Sequence, residues 1–317
     1  MNTEINISVI IATYNRSVFL RQTLETLIRQ DFPKGTWEIL VINNQSTDDT
    51  ESVLQEFSAR DSRIRSVYEE KIGTSLARNR GILESRGQIT VHLDDDVILE
   101  PSWLKTLVAP IQNDLRQRIG VLGGRTINYF PDKEVNQWAS PFRESRPYSD
   151  HLCQLHNSPF PIGGGNMAVP RWVYDQIGMF NTNLGPVGNI MLFAEDTEFI
   201  DRAYNAGLEI WYNGEASLLH QIPASRLTFS AIFNHRYNYG RSSVIRKTMK
   251  MRENGQTIIW KLLQKIIFYS LSLLVFLLGA LGTIIIFRRD IFKRFLVRAG
   301  GSLGYIRQSL YYLLGGK

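Results

Sequence analysis

At 317 residues the chain is long enough for one large α/β domain and an appendage, taking about 100 to 200 residues per domain. A single cysteine, Cys153, excludes an intramolecular disulfide framework and a thiolate zinc cluster, and it points to a reducing compartment. The net charge of +6 divides unevenly: residues 1–220 carry 20 Lys+Arg against 28 Asp+Glu, net −8, while residues 221–317 carry 16 against 2, net +14. Two bodies with different surroundings are implied.

Met1 to Asn6 lacks the basic n-region of a signal peptide, and Ile7 to Ala12 is too short and too strand-like for an h-region. Ile5 to Ala12 reads as a first buried strand that breaks at Thr13-Tyr14-Asn15-Arg16. Leu20, Leu24, Leu27 and Ile28 then recur at helical spacing. Glu38 to Ile42 is a second strand, ended by the polar run Asn43 to Thr50 and followed by a helix with Val53, Leu54 and Phe57. The unit repeats: strand Ile64–Tyr68, helix Ser75–Ser85, strand Gln88–Leu93, then a helix Pro101–Asn113 opened by its proline. Strands alternating with helices predict an α/β fold with a doubly wound, mostly parallel sheet, whose ligands bind outside the carboxyl ends of the strands.

The polar clusters fall at those ends, and the most acidic is Asp94-Asp95-Asp96, closing the fourth strand. In extended chain Asp94 and Asp96 share one side and Asp95 faces the other. Oxygen ligands of this kind suit a hard divalent cation whose shell is completed by substrate phosphates. A solvated acidic turn is the plainer alternative. Further on, strand Gly120–Ile127 leads into a long irregular stretch, Asn128 to Phe160, with Tyr129, Phe130, Trp138, Phe142 and Tyr148. These aromatics suit either stacking on sugar rings or plain packing. Gly163-Gly-Gly-Asn166 lets backbone approach a ligand closely, but it is not a P-loop. Glu195-Asp196 precedes a helix predicted over Thr197–Asn205, and an acidic N-cap is one reading of that pair. His220 ends a strand beginning at Ala216 and is either a metal ligand or a core histidine. His92, inside a strand, reads as structural.

Eight segments in order carry a resemblance: Ser8–Arg16 (SVIIATYNR), Glu38–Thr50 (EILVINNQSTDDT), Gly73–Ile82 (GTSLARNRGI), Val91–Leu104 (VHLDDDVILEPSWL), Gly163–Phe180 (GGGNMAVPRWVYDQIGMF), Phe193–Gly207 (FAEDTEFIDRAYNAG), Ser217–His220 (SLLH) and His235–Ser242 (HRYNYGRS). Over roughly Ile7 to Ser243 the chain resembles family 2 glycosyltransferases, with the GT-A-type nucleotide-sugar-binding fold of that class. The resemblance implies that Thr13, Tyr14 and Asn43 line the base pocket and that Arg78 reaches the base or the diphosphate. It implies that Asp94 and Asp95 hold the ribose and the water shell of a divalent cation, Mg²⁺ or Mn²⁺. Asp96 would ligate that cation directly, completed by His220. Asp196 would be the catalytic base, with Glu195 orienting it or bonding the acceptor, and His235 and Arg236 would lie near the donor diphosphate or a lipid acceptor. The family's usual aspartate is Asn43 here, which can accept through Oδ1 but also offers a donor, so a UDP-sugar is the first expectation and guanine or thymine nucleotides stay open. On residues alone, Tyr14 also fits a rim aromatic, Asn43 and Asn44 fit turn formers, and Arg78 fits a surface cation.

In the tail, Ile266–Phe287 is 22 residues without a charge, against the about 20 needed to cross a bilayer core. Basic residues flank it on both sides, from Arg246 to Lys265 and from Arg288 to Arg298, so charge bias gives no orientation. Either one span crosses, or the run bends at Gly279–Gly282 and returns. The symmetric load favours the return. Ile291–Leu314 mixes apolar and basic residues like an interfacial helix. The expected domains are a catalytic domain at 1–220, divided into a donor half at 1–127 and an acceptor half at 128–220. A basic amphipathic connector at 221–257, a membrane segment at 258–290 and an interfacial basic helix at 291–317 follow. The expected activity is inverting, non-processive transfer from a nucleotide-sugar donor to a lipid-linked or polysaccharide acceptor, membrane-associated at the cytoplasmic face of a bacterial inner membrane, with no nucleic acid partner. A metal-dependent nucleotidyltransferase and a catalytically silent membrane scaffold remain as alternatives.

Overall fold

The computed structural model describes residues 5–131, 148–157, 160–187, 192–253, 258–285 and 289–314. Two expected acceptor-side aromatics, Trp138 and Phe142, lie outside them. The chain divides into two compact units, one formed by residues 1–129, 144–188 and 195–221 and the other by residues 130–143, 189–194 and 222–317.

The first unit is built on β1 (Ile7–Thr13), β2 (Trp37–Asn43), β3 (Ile64–Tyr68) and β4 (Ile89–Leu93), alternating with helices α1 (Ser17–Leu27), α2 (Thr50–Arg60) and α3 (Thr74–Glu84). The β-branched and aliphatic runs of β1, β2 and β4 are buried on both faces, as a parallel sheet covered by helices requires, while β3 at the edge is only partly buried. A short β5 (Val97–Leu99) follows, then α4 (Trp103–Gln112), β6 (Ile119–Tyr129), β7 (Leu152–Leu155), β8 (Asn166–Pro170), α5 (Arg171–Ile177), α6 (Glu195–Asn205) and β9 (Glu209–Gln221). Strand order is β3-β2-β1-β4-β8-β6-β9-β5, with β7 also pairing β9.

The first four strands are parallel, whereas β8 runs antiparallel to both β4 and β6. The sheet is therefore mixed, with β1, β2, β3, β4, β6 and β9 running one way and β5, β7 and β8 opposed to them. The reason is where the chain returns: after β7 it comes back to the edge where β4 ends, Asn166 pairing with Leu93, so β8 must run back from there. Strand β9 is parallel to β6, with β5 and β7 antiparallel to it. The β6–β9 ladder shifts register twice, between Ile119 and Val121 and again where Gly124 pairs with Asn213 but Arg125 with Ser217. One core packs Leu20, Leu24 and Leu27 of α1, Val53 of α2 and Leu104 of α4 on one face of the sheet. The other packs Ala77 of α3, Val173 of α5 and Phe199 of α6 on the opposite face.

Two helix starts differ from expectation. Helix α4 begins at Trp103, after Pro101, whose carbonyl instead accepts the Asp31 N–H, and it contains Pro110 in its last turn. Helix α6 begins at Glu195, so the acidic pair lies inside the first turn rather than before it.

The second unit holds α7 (Phe229–Glu253), α8 (Ile258–Ile285) and α9 (Arg289–Leu313). Helix α8 runs unbroken through Gly279 and Gly282, so no bend forms there. Gly279 serves close packing instead: a Cβ on it would lie 2.6 Å from Phe295 of α9. Tyr269 stacks on Tyr305 at 3.9 Å, and together with the Gly279–Phe295 approach this makes α8 and α9 an antiparallel pair. Rather than standing alone, α9 also packs on α7, where Gly300 lies against Phe233 and Gly304 against Tyr237. Small residues at such seams let helix backbones approach closely, a habit of membrane helices. Ile259–Leu281 is long and apolar enough to cross a membrane, with only 6% of its apolar window buried.

Candidate active site

The three aspartates form the turn from β4 into β5, and α1 fixes that turn from below. The buried Thr23 hydroxyl accepts the Val97 N–H at 3.0 Å and lies 2.9 Å from the Asp95 and Val97 carbonyls. Asp95 turns away from its neighbours towards the end of β1, where Oδ2 accepts the Thr13 hydroxyl at 2.7 Å and Oδ1 accepts Arg16 Nη1 at 2.8 Å. Burial pushes its carboxyl up to about 6, against the pull of Arg16. Asp96 is 1% exposed. Its Oδ2 accepts Arg16 Nη2 at 2.6 Å and stands 3.2 Å from His220 Nε2, and its carbonyl accepts the Gln221 N–H at 2.8 Å. Burial alone would lower the Arg16 guanidinium, but Asp95 and Asp96 hold it above its ordinary value.

Ligand atoms of Asp94, Asp96 and His220 all lie within 4.8 Å of one another. Bonds of about 2.0 to 2.1 Å around Mg²⁺ place opposite ligands about 4 Å apart, so the set closes on a cation with small rotamer changes. Two carboxylates and an imidazole are a donor set that Mn²⁺ accepts readily, with positions left for phosphate oxygens. Asp94, expected in the water shell, thus belongs to the same group as Asp96, while Asp95 does not.

On the other side of Asp94 stands Arg78. It is a buried bridge rather than a surface cation: Nη1 donates to Glu195 Oε1 at 2.8 Å and Nη2 lies 3.5 Å from Asp94 Oδ1. Phe180 closes its face, with the guanidinium carbon 5.6 Å from the ring centroid. Burial and neighbouring Asp196 push the Glu195 carboxyl up, and Arg78 pulls it back down. Glu195 is thereby engaged by Arg78 and forms no hydrogen bond to Asp196.

Asp196 is held by backbone instead, accepting the Gly164 N–H at Oδ2 (2.9 Å) and the Thr197 N–H at Oδ1 (2.6 Å). The Thr197 hydroxyl also donates to Oδ1 at 3.3 Å, so the lone pair left over is on Oδ2. The triple glycine has a reason at two of its three positions. A Cβ at Gly165 would fall on the Asp94 carboxylate, and one at Gly164 would lie 3.0 Å from the Arg78 guanidinium. Asn166, just beyond, is wholly buried and clamps three elements: Oδ1 accepts Trp103 Nε1 at 3.1 Å, and Nδ2 donates to the Arg125 and Ala216 carbonyls at 3.0 Å.

At the ends of β1 and β2 the loops are tied together. Asn15, left-handed at φ 53°, accepts the Thr47 N–H at 2.7 Å and donates its own N–H to Ser46 Oγ at 3.0 Å. Asn43 accepts the Ser46 N–H at Oδ1 (3.0 Å) and donates Nδ2 to Glu51 Oε2 (3.2 Å), so it is a turn former whatever else it does. Asn44 secures the next loop, donating to the Glu69 and Lys71 carbonyls and accepting the Gly73 N–H at 2.8 Å. Tyr14 is 38% exposed at the rim. His92 is structural, its Nε2 2.8 Å from the Tyr174 hydroxyl in the core.

The first unit therefore brings together Thr13, Asp94, Asp95, Asp96, Arg78, Glu195, Asp196 and His220. Arg236 lies on α7 of the second unit beside His235, whose ring packs on Phe193 at 4.7 Å. Sequence reasoning missed Arg16, Thr23 and Asn166. Arg16 had a signal, as the one cation beside the polar end of β1. Thr23 and Asn166 had none, since a buried hydroxyl and amide look like any other polar residue until their partners are placed.

A family model described as Glycosyl transferase family 2 matches residues 8–178, more than half of the chain. The glucosyl-dolichyl phosphate glucuronosyltransferase of Haloferax volcanii is 24% identical over 233 residues, covering 70% of this chain and 71% of that protein. The probable glycosyltransferase YdaM of Bacillus subtilis is 28% identical over 232 residues, 68% of this chain but only 51% of YdaM. Among solved structures, the mannosyltransferase PcManGT from Pyrobaculum calidifontis, in complex with GDP-Man and Mn²⁺, superposes with a TM-score of 0.59 at 15% identity, over 94% of this chain and 86% of that one. The mixed sheet and its helices are those of the GT-A fold, and the chain belongs to glycosyl transferase family 2.

Proposed function

We propose that this protein transfers a sugar, with inversion and one residue at a time, from a nucleotide-diphosphate donor to a hydroxyl of a lipid-linked or polysaccharide acceptor at a membrane. The observation that carries the reading is the convergence of Asp94, Asp96 and His220 within 4.8 Å, with Asp196 of α6 hydrogen-bonded to the adjoining glycine loop. Thr13, Tyr14, Asn43 and Asp95 hold the nucleoside. Asp94, Asp96 and His220 hold a divalent cation, Mn²⁺ or Mg²⁺, which neutralises the leaving diphosphate when bound. Asp196 takes the proton of the acceptor hydroxyl as that oxygen attacks the anomeric carbon from the face opposite the diphosphate. Its two N–H bonds fix the carboxylate without using all its lone pairs, and such positioning supplies much of the rate. Arg78 acts through Glu195 and Asp94 rather than on the donor, because its guanidinium is already committed to them.

A UDP-sugar is the first candidate donor, and the GDP-Man complex of the Pyrobaculum protein keeps guanine in play. The name of the Haloferax relative, with its dolichyl phosphate, favours a lipid-linked acceptor. Helix α8 is the anchor, Arg236 on α7 is a candidate partner for a lipid phosphate, and the catalytic unit works on the cytoplasmic side of a bacterial inner membrane.

The test is a panel of nucleotide-sugars with Mn²⁺ or Mg²⁺ and extracted lipid acceptors, reading free nucleoside diphosphate and the anomer of the product by NMR. Asp196→Asn should lose at least about 100-fold in turnover with donor binding intact. Full turnover in that variant rejects the base assignment, and a retained anomeric configuration rejects inversion. Release of inorganic diphosphate from a nucleoside triphosphate would mark a nucleotidyltransferase instead.

A further inference from the structure

Arg16 is the residue that the site brings in and the proposed chemistry leaves unused. Its guanidinium bridges two carboxylates, with Nη1 2.8 Å from Asp95 Oδ1 and Nη2 2.6 Å from Asp96 Oδ2. The second of these oxygens belongs to the group within 4.8 Å that would hold the cation. A guanidinium and a divalent cation drawn to one carboxylate repel each other, and an oxygen whose lone pair accepts an N–H cannot offer that lone pair to a metal. The arginine is also able to leave. Its side chain is 23% exposed, and its other arm has an independent hold on Asp95.

We propose that Arg16 is the built-in counter-cation of the metal site: it neutralises Asp96 when no divalent cation is present, is displaced from Asp96 when one binds, and pivots on Asp95. This rests on the metal role given to Asp96 above. In the displaced position the guanidinium keeps its Asp95 bond and gains freedom to meet an anionic phosphate, for which its planar fork is suited. Arg16 thus favours loading of metal together with a diphosphate over loading of metal alone.

The opposite role has the opposite sign. If Arg16 merely orients Asp96 for the cation, removing it weakens metal binding; if it competes, removing it strengthens binding. Mn²⁺ affinity is measured by electron paramagnetic resonance on the full-length protein in detergent, without nucleotide, for wild type, Arg16→Gln, Arg16→Lys and Asp96→Asn. The expected result is at least tenfold tighter Mn²⁺ binding in Arg16→Gln, with Arg16→Lys between it and wild type. Equal or weaker binding in Arg16→Gln, with Asp96→Asn having lost Mn²⁺, overturns the exchange alone. Wild-type binding in Asp96→Asn overturns the metal reading beneath it as well. Should Arg16→Gln fail to fold, wild type answers alone: Mn²⁺ should speed modification of Arg16 by phenylglyoxal, followed by peptide mass spectrometry, and slowed or unchanged modification overturns the proposal.

Discussion

Two arginines in this site each bridge two acids, and they differ in how firmly. Arg16 comes from the loop after β1, spans Asp95 and Asp96, and keeps 23% of its side chain in solvent. Arg78 comes from the body of α3, spans Glu195 and Asp94, and keeps 9% beneath Phe180. The first can move without opening the core. The second cannot, because its withdrawal leaves a buried glutamate facing nothing of opposite charge. The same pairing of residue types therefore makes an exchangeable counter-ion in one place and a fixed strut in the other, and burial decides which.

Breaking the strut gives the largest expected effect. Arg78→Met should cost about 3 to 5 kcal/mol of stability, the usual result of orphaning a buried charge, read as a lowered chemical-denaturation midpoint. A loss no greater than that of an exposed arginine would reduce Arg78 to the level of Arg16. Acid should act on the same region through His92, buried beneath Arg78 and held down to about 3 by burial and by that cation. The folded state keeps His92 neutral, while the unfolded chain binds a proton below about 6.5. Stability is therefore unaffected above that pH and falls below it, towards pH 3, by about 1.4 kcal/mol per unit from this group. His92→Gln should flatten that part of the profile, and an unaltered slope would remove His92 from the account.

The glycine loop sharpens the comparison with a smaller effect. Gly165→Ala must move Asp94 and should weaken Mn²⁺ binding by about tenfold, a shift near 1.4 kcal/mol. Gly163→Ala, where a Cβ meets nothing within 4 Å, should bind as wild type does. Equal effects at the two positions would show that the loop's glycines serve flexibility and not clearance. Least of all should come from Arg21→Ala, whose ion pair with Glu56 is open to solvent at 43% and 42% exposure and whose melting temperature should match wild type.

The alternation of strands and helices, the carboxyl-end clusters and the eight motif segments were legible because each is local: period, punctuation and residue type sit within a dozen positions. The parallel half of the sheet follows from them. The reversal of β8 does not, since nothing in Asn166–Pro170 records at which edge of the sheet the chain re-enters. Asp96 and His220 were legible as members of one site. The parting of Asp94 from Asp95 was not, because it depends on Arg16 and Thr13 reaching Asp95 from 79 and 82 residues away. In the tail, Gly279 and Gly282 look like hinge residues in sequence. Gly279 instead makes room for Phe295, a partner that only the return of α9 supplies.

The second register break between β6 and β9 inserts three unpaired positions, Gly214 to Ala216, where the partner strand advances by one. Before the break Ile210 and Tyr212 point into the core under α3, α5 and α6; from its last residue, Ala216, onward the even-numbered Ala216 and Leu218 point into the core under α1, α2 and α4. His220 inherits the second phase. The His220 imidazole is thus aimed by a parity, the odd number of residues in a bulge four to six positions upstream, rather than by any residue it touches. Losing or gaining one residue there would leave every side chain of the site in the sequence and turn His220 to the other face of the sheet.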